Sequence, residues 1–236
     1  MSGFFYLYKK LKVKTIVITG AGKGIGLATA QLAAKLGHQV IAISRNVEGI
    51  QNHPNIVSHS VDLSKPSEIT HFANLLKEQN THIDILINNA GSLSNTPFVE
   101  SDFTLFEQIY KVNVFGLAEL TRQLLPMIYS HGHVVNISSM GGIQGSAKFA
   151  GLAAYSSSKG AVITLTELLA EEYKASGPKF NCLALGAVQT EMLAKAFPGF
   201  EAPIDAVNFA DYLLNFALNG HAYYNGKVLQ VSSSTP

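Results

Sequence analysis

Short apolar runs rich in Val and Ile recur along the chain of 236 residues. Runs of a few residues that are apolar at nearly every position are typical of strands covered on both faces. We predict strands at residues 13–19, 39–44, 55–61, 83–88, 133–138, 180–185 and 227–231.

Helices are predicted between these strands, at residues 27–36, 64 to about 79, 101 or 102 to about 129, about 153–173 and about 203–218. Ser64 is the expected N-cap of the second helix, with Pro66 in its first turn, and Ser101 or Asp102 that of the third. Strict alternation of strands and helices requires right-handed crossovers. The predicted fold class is therefore α/β, a doubly wound parallel sheet of about seven strands with helices on both faces. No repeat or linker divides the chain, so residues 1–236 are expected to form one domain.

The charge balance disfavours polyanionic partners. There are 17 Lys and Arg residues against 16 Asp and Glu, a formal charge of +1, so we expect neither nucleic acid nor an anionic membrane as a partner. Cys182 is the single cysteine and suits a reducing compartment, which indicates a cytoplasmic protein. The first ten residues place their charges after an apolar patch, unlike a secretory signal, and no run reaches the roughly 18 apolar residues of a membrane span.

A glycine-rich turn joins the first predicted strand to the first helix, with the spacing Gly20-x-x-x-Gly24-x-Gly26. Glycines permit a tight turn that approaches a pyrophosphate closely, and the free N–H groups of the helix start donate hydrogen bonds. The spacing differs from G-x-G-x-x-G, and a purely structural turn is the alternative interpretation. We predict a dinucleotide site with contacts from Gly20, Lys23, Gly24, Ile25 and Gly26.

The end of the second strand indicates which dinucleotide is bound. Ser44 and Arg45 follow it, and Arg45 stands 19 residues beyond Gly26. An acid there would bind a ribose 2′-hydroxyl, whereas an arginine accepts a 2′-phosphate. Lys23 adds a second cation facing the same region, although both cations could be ordinary surface residues. We predict NADP(H) in preference to NAD(H).

Polar or small residues also follow other predicted strands. The carboxyl ends of parallel strands meet at one edge of the sheet, where ligands bind, so we expect these residues beside the ligand. Asp62 suits an adenine contact or a cap before Ser64, and the Asn-Asn-Ala-Gly stretch suits a close backbone approach or a plain turn. Ser138 and Ser139 bring two hydroxyls to the same edge. The predicted cofactor contacts here are Asp62, Leu63, Asn89, Ala90 and Gly91.

Tyr155 and Lys159 are four residues apart and lie on one face of the helix that follows those serines. A phenol titrates near pH 10 and is a weak acid or base at neutral pH. A nearby ammonium and an oxidised nicotinamide would both favour its anion. We therefore expect this pair to carry acid–base chemistry.

Together these motifs resemble the short-chain dehydrogenase/reductase family over almost the whole chain, which implies a Rossmann-like fold. The resemblance implies that Ser139 and Tyr155 hydrogen-bond the substrate oxygen and that Tyr155 transfers its proton. Lys159 would hold the nicotinamide ribose and tune the tyrosine, and Asn113 would help to anchor a proton-relaying water. The cofactor contacts that complete the set are Gly186, Val188 and Thr190 after the sixth strand.

The implied activity is hydride transfer between a nicotinamide and a carbonyl or secondary alcohol, with an apolar substrate lid over about residues 190–202. A small-molecule substrate and a homo-oligomer, dimer or tetramer, are implied as partners. The alternative is a non-catalytic protein that senses NADP(H), which would need no proton donor.

The chain departs from the family pattern in three places. The glycine after the sixth strand lacks its usual preceding proline, which predicts a less rigid loop there. Ser139 lies 16 residues before Tyr155, about three more than the family pattern, so residues 145–153 are expected to bulge at the site rim, and Ser138 stays open as the active serine. The serine-rich end replaces a glycine-rich one and puts the tetramer in doubt.

Two further groups of residues have alternative interpretations. His131 and His133 are interpreted as a solvated loop in preference to a metal site. The aromatic residues at positions 4–8 form either a contact arm for another subunit or a terminus packed on its own domain.

Overall fold

A computed structural model describes residues 12–232 and shows one seven-stranded sheet in which all neighbouring strands are parallel. The strand order is β3-β2-β1-β4-β5-β6-β7. Strands β1 to β3 therefore extend the sheet towards one edge, and β4 to β7 extend it from β1 towards the other edge, so the strand order reverses between β1 and β4. The strands are β1 (Thr15–Thr19), β2 (Gln39–Ser44), β3 (Ile56–Ser60), β4 (Ile83–Asn88), β5 (Ile128–Ser139), β6 (Lys179–Leu185) and β7 (Val228–Val231).

Helices cover both faces of the sheet. They are α1 (Gly24–Lys35), α2 (Pro66–Glu78), α3 (Phe103–Tyr110), α4 (Leu117–Leu124), α5 (Ala153–Glu172), α6 (Glu191–Ala196) and α7 (Ala206–Asn219). A π-helical turn at Lys111–Gly116 joins α3 to α4. The α/β fold and the doubly wound parallel sheet predicted from the sequence are confirmed.

Two apolar cores hold the layers together. One face of the sheet packs α1 and α7 through residues such as Ala30, Ala33 and Leu213. The other face packs α2, α4 and α5 through residues such as Phe72 and Leu120. Successive strand residues point to opposite faces, so both faces of these Val and Ile runs are buried.

Some predicted boundaries were wrong. Lys65 is the N-cap of α2, because Ser64 instead donates to the Asp62 carboxylate from both its backbone N–H (2.9 Å) and its hydroxyl (2.8 Å). The helix predicted to run to about residue 129 is broken by the π-helical turn and ends before Ile128, where β5 begins. Asp102 caps α3 by accepting from the N–H of Leu105 at 2.8 Å.

The interpretation of His131 and His133 as a solvated loop is also wrong. Both lie in β5, and His133 is fully buried, with Nδ1 2.9 Å from the Ala217 carbonyl and Nε2 3.0 Å from the Asn181 side-chain nitrogen. Between residues 12 and 232 no cluster of three or more metal-ligating side chains is found. No helix in that range is long and apolar enough to span a membrane. The aromatic residues at positions 4–8 lie outside the described residues.

Candidate active site

A continuous cavity runs along the carboxyl ends of β1, β2, β4, β5 and β6. It opens where the strand order reverses, which is where ligands bind in folds of this kind. All but one of the predicted cofactor contacts line it. Those lining it are Gly20, Lys23, Gly24, Ile25, Ser44, Arg45, Asp62, Leu63, Asn89, Ala90, Gly91, Tyr155, Lys159, Gly186, Val188 and Thr190.

The exception is Gly26, which does not line the cavity. A Cβ at this position would collide with the Gly20 carbonyl, so the glycine lets α1 start directly against the turn. Gly20 has a φ of +67°, and a Cβ there would lie 2.8 Å from the Cα of Ala90. The absence of side chains therefore fixes the shape of the turn at both positions.

The turn is tied to the loop after β4. The Ala90 N–H donates to the Thr19 hydroxyl at 2.9 Å, and the Asn89 side-chain amide donates to the Thr19 carbonyl at 3.0 Å. Asn88, which starts the Asn-Asn-Ala-Gly stretch, is buried and donates to Asn136 (2.8 Å) and Thr121 (3.0 Å). Asn88 thus connects β4 with β5 and α4, and the residues after it face the cavity.

The two predicted phosphate-binding cations differ in their surroundings. Lys23 lines the cavity but pairs with Glu191 at the start of α6, with 2.9 Å between Nζ and Oε2. Arg45 also lines the cavity and has no ion-pair partner within 4.0 Å among residues 12–232. The pKa of the Asp62 carboxyl is lowered: burial raises it, but hydrogen bonds from Ser64 and the charge of Arg45 outweigh burial.

Ser139, Tyr155 and Lys159 meet at one place on the cavity wall. The Ser139 hydroxyl interacts with the Tyr155 phenol and lowers its pKa. The Lys159 ammonium lies 5.8 Å from the centre of the Tyr155 ring and donates to the Ile137 carbonyl at 2.8 Å. Because β5 ends at Ser139 and α5 begins at Ala153, the fold brings these three side chains together although the sequence separates them.

Burial shifts the pKa values of Tyr155 and Lys159. Desolvation raises the pKa of Tyr155, and the interaction with the Ser139 hydroxyl opposes this rise only in part. Desolvation also lowers the pKa of Lys159 to about 8. In the chain by itself, removal of Tyr155 from water thus outweighs the effect of Ser139, and the effect of an oxidised nicotinamide on its pKa stays a prediction.

The structure separates the two serines at the end of β5. The Ser138 hydroxyl is buried and donates to the Lys159 carbonyl at 2.8 Å, which fixes the position of α5. The Ser139 hydroxyl faces Tyr155 and accepts from the Gly141 N–H at 3.2 Å. This geometry supports Ser139 as the active serine.

Asn113 lies in the π-helical turn, fully buried and away from the cavity wall. Its side chain bonds the backbone of Ser92 through both polar atoms (2.7 and 2.9 Å) and donates to the Ser158 hydroxyl at 2.9 Å. π-Helical turns are frequent at functional sites. The water-anchoring role of Asn113 stays a prediction, and its observed contacts position α5 against the loop after β4.

Sequence reasoning missed the side chains that wall the end of the cavity where Ser139 and Tyr155 lie. The longer loop after β5 brings Phe149 and Leu152 to the wall, and the segment containing α6 brings Met192, Leu193 and Phe197. The predicted bulge at residues 145–153 and the predicted apolar lid were the available signals, but neither identifies which side chains turn inward.

The cavity fits a dinucleotide at its glycine-rich end. No side chain caps the start of α1, which leaves its first N–H groups available to a phosphate. Gly20 and Gly24 adopt left-handed backbone conformations that keep the turn free of side chains. A nicotinamide dinucleotide lying along the strand ends would reach Lys159 and Tyr155 from this turn.

Comparison with known proteins agrees with these features. The profile of the short chain dehydrogenase family matches residues 14–199. An uncharacterised oxidoreductase of Staphylococcus saprophyticus is 29% identical over 227 residues, which cover 92% of this chain and 95% of that protein.

Solved structures with the same fold contain nicotinamide cofactors. A short chain dehydrogenase from Shigella flexneri, complexed with NADP, has a TM-score of 0.80 at 27% identity and covers 92% of this chain and 96% of its own. A 3-ketoacyl-(acyl-carrier-protein) reductase from Brucella melitensis, complexed with NADH, has a TM-score of 0.82 at 25% identity and the same coverage of both chains, 92% and 96%. These likenesses support a nicotinamide cofactor. The chain belongs to the short-chain dehydrogenase/reductase family of oxidoreductases.

Proposed function

We propose that this protein is an NADP(H)-dependent oxidoreductase that interconverts a carbonyl compound and an alcohol, with Tyr155 as the general acid and base. The observation that carries the proposal is the meeting of Ser139, Tyr155 and Lys159 on the wall of a cavity that begins at the glycine turn. A set of groups able to transfer a proton beside a dinucleotide cleft favours catalysis over cofactor binding alone.

In the reductive direction, a nicotinamide dinucleotide held by the glycine turn and Lys159 would supply the hydride that reduces the carbonyl carbon. The Tyr155 phenol donates its proton to the carbonyl oxygen, which completes the alcohol and leaves a phenolate on the enzyme. The Ser139 hydroxyl holds the same oxygen in place, and the Lys159 ammonium stabilises the phenolate. Oxidation of an alcohol reverses each step.

The raised pKa of Tyr155 suits this direction, because a neutral phenol is the form that donates. The burial of Lys159 beside it places a cation where negative charge develops in a medium of low polarity. Turnover in either direction then depends on orientation and local charge.

Arg45 has no ion-pair partner within 4.0 Å among residues 12–232 and supports NADP(H) as the preferred cofactor, since a guanidinium at the end of β2 suits a 2′-phosphate and positions 43–45 include no acid to bind a ribose hydroxyl. The free, buried thiol of Cys182 supports a reducing compartment, the cytoplasm. A homo-oligomer of two or four subunits and the lid over about residues 190–202 remain part of the proposal.

The competing function is an NADP(H) sensor without turnover. Absorbance of NADPH and of NADH at 340 nm, followed across a panel of ketones, aldehydes, sugars and acyl thioesters, separates the two. The proposal predicts oxidation of NADPH that requires a carbonyl compound. Tight NADPH binding with no oxidation by any class of carbonyl would support the sensor.

A further inference from the structure

The catalytic end of the cavity has an apolar wall. Around Ser139 and Tyr155 the lining is contributed largely by Leu93, Phe149, Leu152, Met192, Leu193 and Phe197. The Phe149 and Phe197 rings meet edge to face, with centroids 5.4 Å apart and an interplanar angle of 77°. This aromatic pair joins the loop after β5 to the segment containing α6.

Three loops are held together to form this wall. The Asn95 side-chain amide donates to the Ala196 carbonyl at 2.8 Å, and the Thr96 N–H donates to the Gly151 carbonyl at 2.9 Å. Gly151 has a φ of +83°, and a Cβ at this position would collide with Asn95. The loops after β4, β5 and β6 therefore support one another, and the apolar wall is a built part of the site.

Charge in the cavity is concentrated away from this wall. The charged residues that line it are Lys23, Arg45, Asp62, Lys159 and Glu191. The ion pair between Lys23 and Glu191 and the interaction between Arg45 and Asp62 belong to the end with the glycine turn. Of the charged lining residues between positions 12 and 232, the buried Lys159 is the one at the catalytic end, and it already donates to the Ile137 carbonyl.

The ammonium of Lys148, in the loop after β5, is already hydrogen-bonded. Lys148 directly precedes Phe149, is exposed and does not line the cavity. Its ammonium donates to the Ile143 carbonyl at 2.6 Å and to the Ser146 hydroxyl at 2.7 Å. A substrate carboxylate or phosphate beside Phe149 would leave water for apolar side chains, and Lys148 would have to give up its bonds to Ile143 and Ser146 to pair with it, which is unfavourable.

We propose that the substrate is an uncharged carbonyl compound with an alkyl or aryl arm, which lies against the apolar wall formed by Phe149, Leu152 and Phe197 while its oxygen meets Ser139 and Tyr155. This inference rests on the proposed function and adds the class of substrate. Burial of the arm supplies binding free energy, and the two hydroxyls fix the orientation of the carbonyl.

A matched series of methyl ketones tests this proposal. With saturating NADPH, kcat/KM should rise by about threefold per methylene from 2-butanone through 2-hexanone to 2-octanone. Replacing the terminal methyl of 2-octanone by a carboxylate, as in 7-oxooctanoate, should lower kcat/KM by at least about 100-fold. A flat series, or 7-oxooctanoate as the better substrate, would overturn the proposal without any variant.

A pair of variants locates the arm. Phe197→Ala should reduce the advantage of 2-octanone over 2-butanone by at least about fivefold. Phe103→Ala should leave that ratio unchanged, because Phe103 is 82% exposed and does not line the cavity. An unchanged ratio in Phe197→Ala would mean that the arm lies elsewhere and would contradict the proposed position.

The results also separate this proposal from the proposed function. If charged or polyhydroxylated carbonyls are reduced fastest, the apolar substrate class is wrong and the reductase function stands. Loss of that activity in Lys148→Gln would then identify the cation that recruits such substrates. If no carbonyl compound oxidises NADPH or NADH, the proposed function itself fails, and the substrate class fails with it.

Discussion

At the scale of single residues, burial determines the chemistry. Lys159 is 3% exposed, and Tyr155 lies beside it on α5, where its phenol interacts with the Ser139 hydroxyl. The same desolvation keeps the phenol protonated and lowers the pKa of the ammonium, so the ammonium becomes the more acidic of the two groups.

The pH dependence of carbonyl reduction should report the deprotonation of the Lys159 ammonium. Since burial lowers the pKa of its ammonium to about 8, the cation that stabilises the phenolate is lost as the pH rises above that value. We expect kcat/KM to be constant from pH 6 to about 7.5 and then to fall towards tenfold per pH unit. Initial rates at saturating NADPH between pH 6 and 10 measure this.

Lys159→Met serves as the comparison for that profile. It should be slower at neutral pH and lack the break near pH 8, because no cation is left to titrate. A wild-type profile that stays flat to pH 9.5, or one with the same break in the variant, would contradict the role given to Lys159.

Arg45 should set the choice of cofactor. Arg45→Asp replaces a guanidinium that can donate hydrogen bonds to a 2′-phosphate by a carboxylate that can accept one from a ribose hydroxyl. The ratio of kcat/KM for NADPH to that for NADH should therefore fall by at least about tenfold. Arg122→Asp makes the same change of charge on α4, away from the cavity, and should leave the ratio unchanged. Equal ratios in wild type and Arg45→Asp would assign 2′-phosphate recognition to another group.

At the scale of elements, the position of α5 relative to the end of β5 decides whether the catalytic groups meet. The Ser138 hydroxyl bonds the Lys159 carbonyl, and the turn after β5 presses against the same part of the helix. A Cβ at Gly142 would lie 2.7 Å from both the Lys159 carbonyl carbon and the Gly160 backbone nitrogen. The contact of Gly142 with the backbone of residues 159 and 160 therefore determines how far Tyr155 and Lys159 lie from the sheet.

Gly142→Ala should displace α5 and lower kcat for carbonyl reduction by about tenfold or more, because small displacements of catalytic groups have large effects on rate. Gly160→Ala is the matched control on the opposite side of this contact. A Cβ there would meet only the Gly142 carbonyl oxygen, at 3.4 Å, so kcat should be nearly unchanged and the helix slightly more stable. Equal kcat values in the two variants would show that this contact does not position the site.

The elements were predictable where local pattern and tertiary structure agree. The Val and Ile runs at 39–44 and 83–88 are strands with those same limits. The start of β5 at Ile128 was missed because residues 129–131 are polar and exposed and do not read as a buried strand. The π-helical turn around Asn113 was missed because one extra residue in a helical turn leaves no pattern in a single sequence.

At the scale of the whole molecule, the sheet separates two functions. Its carboxyl edge carries the cavity, and its amino edge carries buried structural polar groups such as Asp84, which accepts from Lys14 at 2.8 Å and from the Thr15 N–H at 2.9 Å. The order of motifs along the chain was sufficient to predict the carboxyl edge. The side chains that face the substrate were not predictable, because they come from three loops whose packing depends on contacts such as that of Asn95 with Ala196.

The stability of the fold should fall in mild acid because of His133. Burial lowers the pKa of this imidazole to about 4, so the folded protein binds fewer protons than the unfolded chain between about pH 4 and 6.5. Stability therefore rises with pH across that window. We expect His133 to make the free energy of unfolding about 2 kcal/mol lower at pH 5 than at pH 7.

Urea unfolding of the wild type and of His133→Asn at both pH values isolates this contribution. Burial also lowers the pKa of His38, His59 and His221, and these residues act in the same direction in both proteins. The drop between pH 7 and 5 should be smaller in the variant by about 2 kcal/mol. An equal drop in the two proteins would mean that His133 is not the group that titrates.

The Tyr155→Phe variant tests the central claim most directly, because it removes the phenolic hydroxyl and keeps the ring on α5. With a carbonyl compound that the wild type reduces, kcat should fall by at least about 100-fold, since the proton donor is lost. The dissociation constant for NADPH should stay within about threefold, because the glycine turn and Arg45 are unchanged. Reduction at the wild-type rate would contradict the assignment of Tyr155 as the acid.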